Sequence, residues 1–131
     1  MAEHPNAQLV RKGYEAFIGG DMEALRGMLA ADATHHVPGT GVLAGDFKGR
    51  DEILDMYRRL GTETDGTFTV ELRQILVDGR GHAVSLHHLT ADRKGRHLDV
   101  DGCIVFRIVG DRMTDLDECV ADIDAMNDFW A

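Results

Sequence analysis

The sequence predicts an α+β domain on two observations: apolar residues recur near a spacing of 3.6 from Pro5 to Leu60, then at a spacing of two from Thr67 onward. Helices followed by an antiparallel sheet make a two-layer domain with the helices packed on one sheet face. The 131 residues are 44% hydrophobic, enough for a continuous core without staples, so residues 1–131 are expected to form a single domain.

The elements follow in order. Pro5 suits a helix start, and Leu9, Val10, Gly13, Tyr14, Ala16 and Phe17 continue at helical spacing to the Gly19-Gly20 break. Asp21 can accept from free N–H groups of the next turn and so cap a second helix, with Met22, Leu25, Met28 and Leu29 as its apolar face, ending near Ala30. Ala33 to Val37 predicts a short strand stopped by Pro38-Gly39, and Thr40 to Lys48 a glycine-rich loop. Gly49 to Leu60 predicts a third helix, buried through Ile53, Met56, Tyr57 and Leu60 and ended by Gly61. Turn signals at 78–81, 93–95 and 110–111 divide the rest into four meander strands near 67–77, 82–92, 96–108 and 112–120. Ile123, Met126 and Trp130 suggest a short closing helix.

Composition excludes several classes of partner. Twenty-three acidic against fourteen basic residues give a formal charge of −9, which repels phosphate backbones and anionic lipid, so neither nucleic acid nor a membrane surface is expected. No apolar run approaches the roughly 20 residues that span a bilayer. The first residues lack a basic segment followed by an apolar stretch, and a cytoplasmic location is expected. Cys103 and Cys119 form no CxxC motif and read as buried, reduced thiols.

Candidate chemistry lies in two histidine pairs and an acidic run. Adjacent strand residues point to opposite faces, so only one of His35 and His36, and one of His87 and His88, can face the helices. Parity therefore halves the four histidines, leaving too few converging donors for a metal, and none is expected. Glu118 shares the core face with Leu116, Ile104 and Phe106 if the last hairpin turns through a three-residue loop; a two-residue loop would put Asp117 opposite Ile104 instead. The three-residue register also sets Cys103 opposite Cys119 on the outer face. Tyr14 and Tyr57 lie on helical faces directed at the sheet, where a phenol could donate to an oxyanion or simply complete the core.

The element order and three stretches resemble the SnoaL-like branch of the nuclear transport factor 2-like superfamily, to which ketosteroid isomerases also belong. These are Gly20-Asp21 with Ala31-Asp32-Ala33; His36-Val37-Pro38-Gly39 with Leu43-Ala44-Gly45-Asp46 and Gly49-Arg50; and the tail Asp122 to Trp130. The resemblance implies a cone-shaped, curved, mostly antiparallel sheet with helices over its concave face, a cystatin-like α+β barrel enclosing a pocket for a small apolar molecule. It also implies a homodimer through the outer sheet face, in keeping with the apolar residues on both faces of the strand holding Val84, Leu86, Leu89 and Ala91.

The resemblance selects His35 and His87 as the inward histidines and, with Glu118 and Tyr14, as candidate catalytic groups. It assigns the pocket wall to Phe17 on the first helix, Met56 and Tyr57 on the third, and Val37, Leu89, Val100, Ile104, Phe106, Leu116 and Val120 on strands. The ketosteroid isomerase pattern is only partly kept: the base falls on Val37, the second aspartate on Ile104, and the oxyanion tyrosine on Gly13, one place before Tyr14. No Asp-Arg-Asp spacing of the related epoxide hydrolases is present. The resemblance thus implies a cofactor-independent isomerase, cyclase or dehydratase acting on an apolar carbonyl compound; the alternative is a dimeric ligand-binding protein without catalysis.

Overall fold

The computed structural model describes residues 3–131. Its elements run α1 (Pro5–Ile18), α2 (Met22–Met28), β1 (Leu29–Val37), β2 (Gly45–Lys48), α3 (Arg50–Glu63), β3 (Thr69–Val77), β4 (His82–Arg93), β5 (Arg96–Val109), β6 (Arg112–Val120) and α4 (Ile123–Phe129). The six strands form one sheet in the order β2-β1-β6-β5-β4-β3, with β1 parallel to β6 and all other pairs antiparallel. β2 and β3 remain free edges, so the cystatin-like sheet is curved but not closed. α1 packs on β3 and β4, and α3 on β1 and β2, covering one face.

Local chemistry explains the helix starts. Pro5 opens α1, the Asp21 carboxylate accepts from Ala24 N–H at 3.1 Å, and that of Asp122 from Ala125 N–H at 3.0 Å. Three boundaries differ from the sequence reading. β1 begins at Leu29 rather than Ala33, because burial of Leu29 and Ala33 against neighbouring elements overrides the helical preference of Leu-Ala-Ala. Residues 45–48 form β2 rather than loop: their backbone pairs with β1, in the register His36 to Asp46. α3 runs through Gly61 to Glu63, and Thr64 ends it, its hydroxyl donating to the Leu60 carbonyl at 2.6 Å and accepting from Phe68 N–H at 3.2 Å.

The β5–β6 hairpin places Glu118. Val109 pairs with Arg112 around a two-residue turn, Gly110-Asp111, in which both residues have positive φ. The turn is thus shorter than the three-residue loop that the inward placement of Glu118 was tied to. A bulge restores the register: Ile108 pairs with Met113 but Arg107 pairs with Asp115, leaving Thr114 over, and Ile104 then faces Glu118 and Cys103 faces Cys119.

Buried Arg93 ties α4 down. Its guanidinium meets Glu63 at 3.3 Å, donates to the Phe129 carbonyl at 3.3 Å and lies 5.7 Å from the centre of the Trp130 ring. The cysteines are not buried as expected: Cys119 is exposed and Cys103 half-buried, because both lie on the sheet face that no helix covers.

On that face His36 bridges three strands, its Nδ1 2.7 Å from Asp46 on β2 and its Nε2 2.8 Å from Asp115 on β6. Both nitrogens face carboxylate oxygens, an arrangement satisfied only by the doubly protonated imidazolium. The hydrogen bonds to Asp46 and Asp115 accordingly raise the His36 pKa above its ordinary value. A folded-state pKa raised above the unfolded one gives stabilisation that is full below about 6.5 and disappears as pH rises through the folded value. Amide protection of β2, corrected for intrinsic exchange, should therefore fall between pH 6 and pH 9 and already be low in His36→Leu; pH-independent protection would contradict the clamp.

Candidate functional site

Strand parity sorts the histidines. His35 on β1 and His87 on β4 point inward with 2% and 4% of their surface exposed, whereas His36 and His88 lie outside and bind aspartates. Because β1 runs parallel to β6 with His35 level with Leu116, the inward residue two further along β6, Glu118, lies beside the His35 ring.

Two hydrogen-bonded groups result. In the first, His35 Nε2 is 2.9 Å from Glu118 Oε1 and His35 Nδ1 is 2.8 Å from the Tyr57 hydroxyl supplied by α3. In the second, the Tyr14 hydroxyl from α1 lies 2.6 Å from His87 Nδ1 and 2.6 Å from Ser85 Oγ, two residues before His87 on the same face of β4. The Nε2 atom of His87 is buried and has no partner among the described residues. Burial holds the His87 pKa below its ordinary value, against the opposing charge of Glu118, so the ring is neutral at pH 7. Burial is also the main cause raising the pKa of both phenols, with the Glu118 charge adding to it, so both stay protonated and able to donate.

Between the two groups lies a cavity of about 100 Å³. His35, His87, Glu118, Tyr14 and Tyr57 line it, as do the expected wall residues Phe17, Val37, Met56, Leu89, Ile104, Phe106 and Leu116. Two expected wall residues do not. Val100 is buried but lies beyond Gly102, where pairing with β6 has ended, and Val120 is half-buried at the last position of β6. Val37 and Ile104, the positions that match the carboxylates of the ketosteroid isomerase pattern, line the cavity as aliphatic side chains, so any acid or base must come from other positions.

Several wall residues were not anticipated from sequence. Phe68, Val70, Met113 and Trp130 also line the cavity, and Trp130 packs against the backbone of Gly41, where a Cβ would overlap the Trp130 side chain. Ser85 was also missed, and a serine alternating with apolar residues on a buried strand face was the available signal. Gly102 lies directly across from His87, where a Cβ would come 3.0 Å from Nε2 and 2.8 Å from the Cys119 carbonyl oxygen.

Comparisons with known proteins identify the family and the fold. A family model described as a SnoaL-like domain matches residues 10–116. The uncharacterized protein Rv0034 of Mycobacterium tuberculosis is 35% identical over 131 residues, covering 100% of each chain. Bal32a, from a soil-derived mobile gene cassette, superposes with a TM-score of 0.94 at 41% identity, covering 97% of each chain. The putative SnoaL-like polyketide cyclase of Jannaschia sp. CCS1 shares the fold, with a TM-score of 0.79 at 13% identity over 100% of this chain and 98% of that one.

Two outcomes test the site geometry. Gly102→Ala should cost about 1–3 kcal/mol in denaturant unfolding, since a backbone oxygen cannot move aside as a side-chain tip can; an unchanged midpoint would contradict the close approach. In an NMR titration His87 should have a pKa below the ordinary value of about 6.5, and lower still in Glu118→Gln, because the lost negative charge no longer favours the imidazolium. An equal or higher value in the variant would show that the two groups do not sense each other.

Proposed function

We propose that this chain, which belongs to the SnoaL-like family, is a cofactor-independent enzyme that moves a proton within a compact apolar carbonyl compound, as an isomerase, cyclase or dehydratase does. One observation supports the reading above others: a partly buried carboxylate held by a histidine, and a buried imidazole nitrogen with no partner among the described residues, line the same apolar cavity. In this proposal Glu118 removes a proton from the carbon next to the carbonyl, and His87 stabilises the enolate oxygen. In an isomerisation the proton then returns to another carbon of the same molecule. In a cyclisation the enolate carbon attacks a second carbonyl, whose new alkoxide takes the proton. In a dehydration the enolate expels a β-hydroxyl, which leaves as water with that proton, so in each case nothing is oxidised and no co-reactant is consumed. In a dry cavity such a donor is worth far more than in water, commonly 10²–10³ in rate, and the general base a further 10²–10⁴.

The cavity limits the substrate. About 100 Å³ is on the scale of the ~150 Å³ engineered cavity that takes up benzene, which suits one ring rather than a fused polycycle. The competing reading, a binding protein that only orients its ligand, draws on the same cavity and differs in whether carbon-bound protons exchange. The proposal extends to a cytoplasmic homodimer. Leu76, Leu86 and Val105 are exposed together on the outer sheet face, and unpaired Cys103 and Cys119 beside them suit a reducing compartment.

Two experiments test these statements. With cyclohexanone and 3-cyclohexenone in deuterated buffer, NMR should show protein-catalysed deuterium uptake at the α-carbon, or conversion of the second ketone to its conjugated isomer, reduced at least ~100-fold by Glu118→Gln. Binding without exchange would favour the non-catalytic reading, and exchange unaffected by the substitution would remove Glu118 from the mechanism. Sedimentation should give a dimer for the native protein and a monomer for Leu86→Glu; a native monomer would refute the interface.

A further inference from the structure

The two tyrosines of the chain both end on histidines, and counting hydrogens shows what each does. Ser85 Oγ, Tyr14 OH and neutral His87 carry one mobile hydrogen each. Suppose His87 Nδ1–H donated to Tyr14 and Tyr14 donated to Ser85. The Ser85 hydroxyl, wholly buried and with no other hydrogen-bond partner among the described residues, would then keep a hydrogen with no acceptor. An acceptor lone pair on His87 Nε2 would be stranded as well. In the reverse order Ser85 donates to Tyr14, Tyr14 donates to His87 Nδ1, and every hydrogen is placed except one. That one is His87 Nε2–H, on a side chain that lines the cavity. A stranded buried donor is destabilising, and only this order leaves it where a bound molecule can relieve the cost.

The same count applies to the other group. A carboxylate oxygen accepts from an imidazole N–H, so His35 Nε2–H donates to Oε1, and the Nε2–H tautomer of His35 has no hydrogen on Nδ1 and takes that of Tyr57. Oε2 of Glu118 is left with no protein partner among the described residues.

We propose that Tyr14 and Tyr57 are positioning residues that lock His87 and His35 as Nε2–H tautomers, so that the cavity offers its ligand one donor, His87 Nε2–H, and one acceptor, Glu118 Oε2. It follows that the ligand presents a hydrogen-bond-accepting atom to His87, as a carbonyl does and an ammonium or other donor-only group does not. This deepens the proton-transfer reading and rests on it for the ligand's chemistry, but the tautomers can be observed with no ligand at all.

Long-range ¹H–¹⁵N correlation spectra of histidine-labelled protein at pH 7.5 test it. Both His35 and His87 should show a protonated Nε2 and a hydrogen-bonded, unprotonated Nδ1. Tyr14→Phe should shift the Nδ1 resonance of His87 towards that of a free imidazole nitrogen and leave His35 unmoved, Tyr57→Phe should do the converse, and Ser85→Ala should preserve the His87 tautomer. A protonated Nδ1 on native His87 would overturn the proposal even if the enzyme exchanged carbon-bound protons. Correct tautomers with no such exchange would overturn only the catalytic reading.

Discussion

A 2.9 Å hydrogen bond between His35 Nε2 and Glu118 Oε1 is the interaction on which the rest of the site depends. A carboxyl group at the edge of an apolar cavity is costly to place without hydrogen-bond partners, and this one has a single protein partner among the described residues. Holding that partner requires His35 to face inward, Tyr57 to occupy its other nitrogen, and β6 to run parallel to β1 in a register that carries Glu118 past Leu116 to the ring. α3 supplies the tyrosine and β1 the histidine, so the carboxylate ties together the helical layer and the two halves of the sheet. On the far side, α1 and β4 do the same for His87 through Tyr14.

The division of labour between the two faces of the sheet follows from burial. Inside, each histidine meets a phenol, and His87 is kept neutral by desolvation. Outside, His36 and His88 meet aspartates on both nitrogens and are favoured as cations. His87 and its neighbour His88 are thus pushed in opposite directions because one is buried and the other faces carboxylates and water.

Much of this was legible in the residues. The change of period located the helical and strand halves, and parity showed that each histidine pair splits across the sheet. Which member faces inward came from resemblance, as did the cavity itself. The placement of Glu118 was reached by a turn length that the protein does not use: the turn is Gly110-Asp111, and a bulge at Thr114 makes up the missing residue. Bulges depend on how two strands pair and have no reliable local signature. β2 escaped notice because four residues that begin with Gly45 and are followed by Gly49 become a strand only when β1 offers them a partner. Ser85 was overlooked because its importance lies in having a single partner, Tyr14, seventy-one residues away.

The most direct test of the account is a crystal structure of the protein soaked with cyclohexanone. The account predicts the ring inside the cavity, with the ketone oxygen within hydrogen-bonding distance of His87 Nε2 and an α-carbon beside Glu118 Oε2. A ring bound with its oxygen turned away from His87, or a cavity that the soak leaves without the ketone while the compound binds elsewhere, would contradict it.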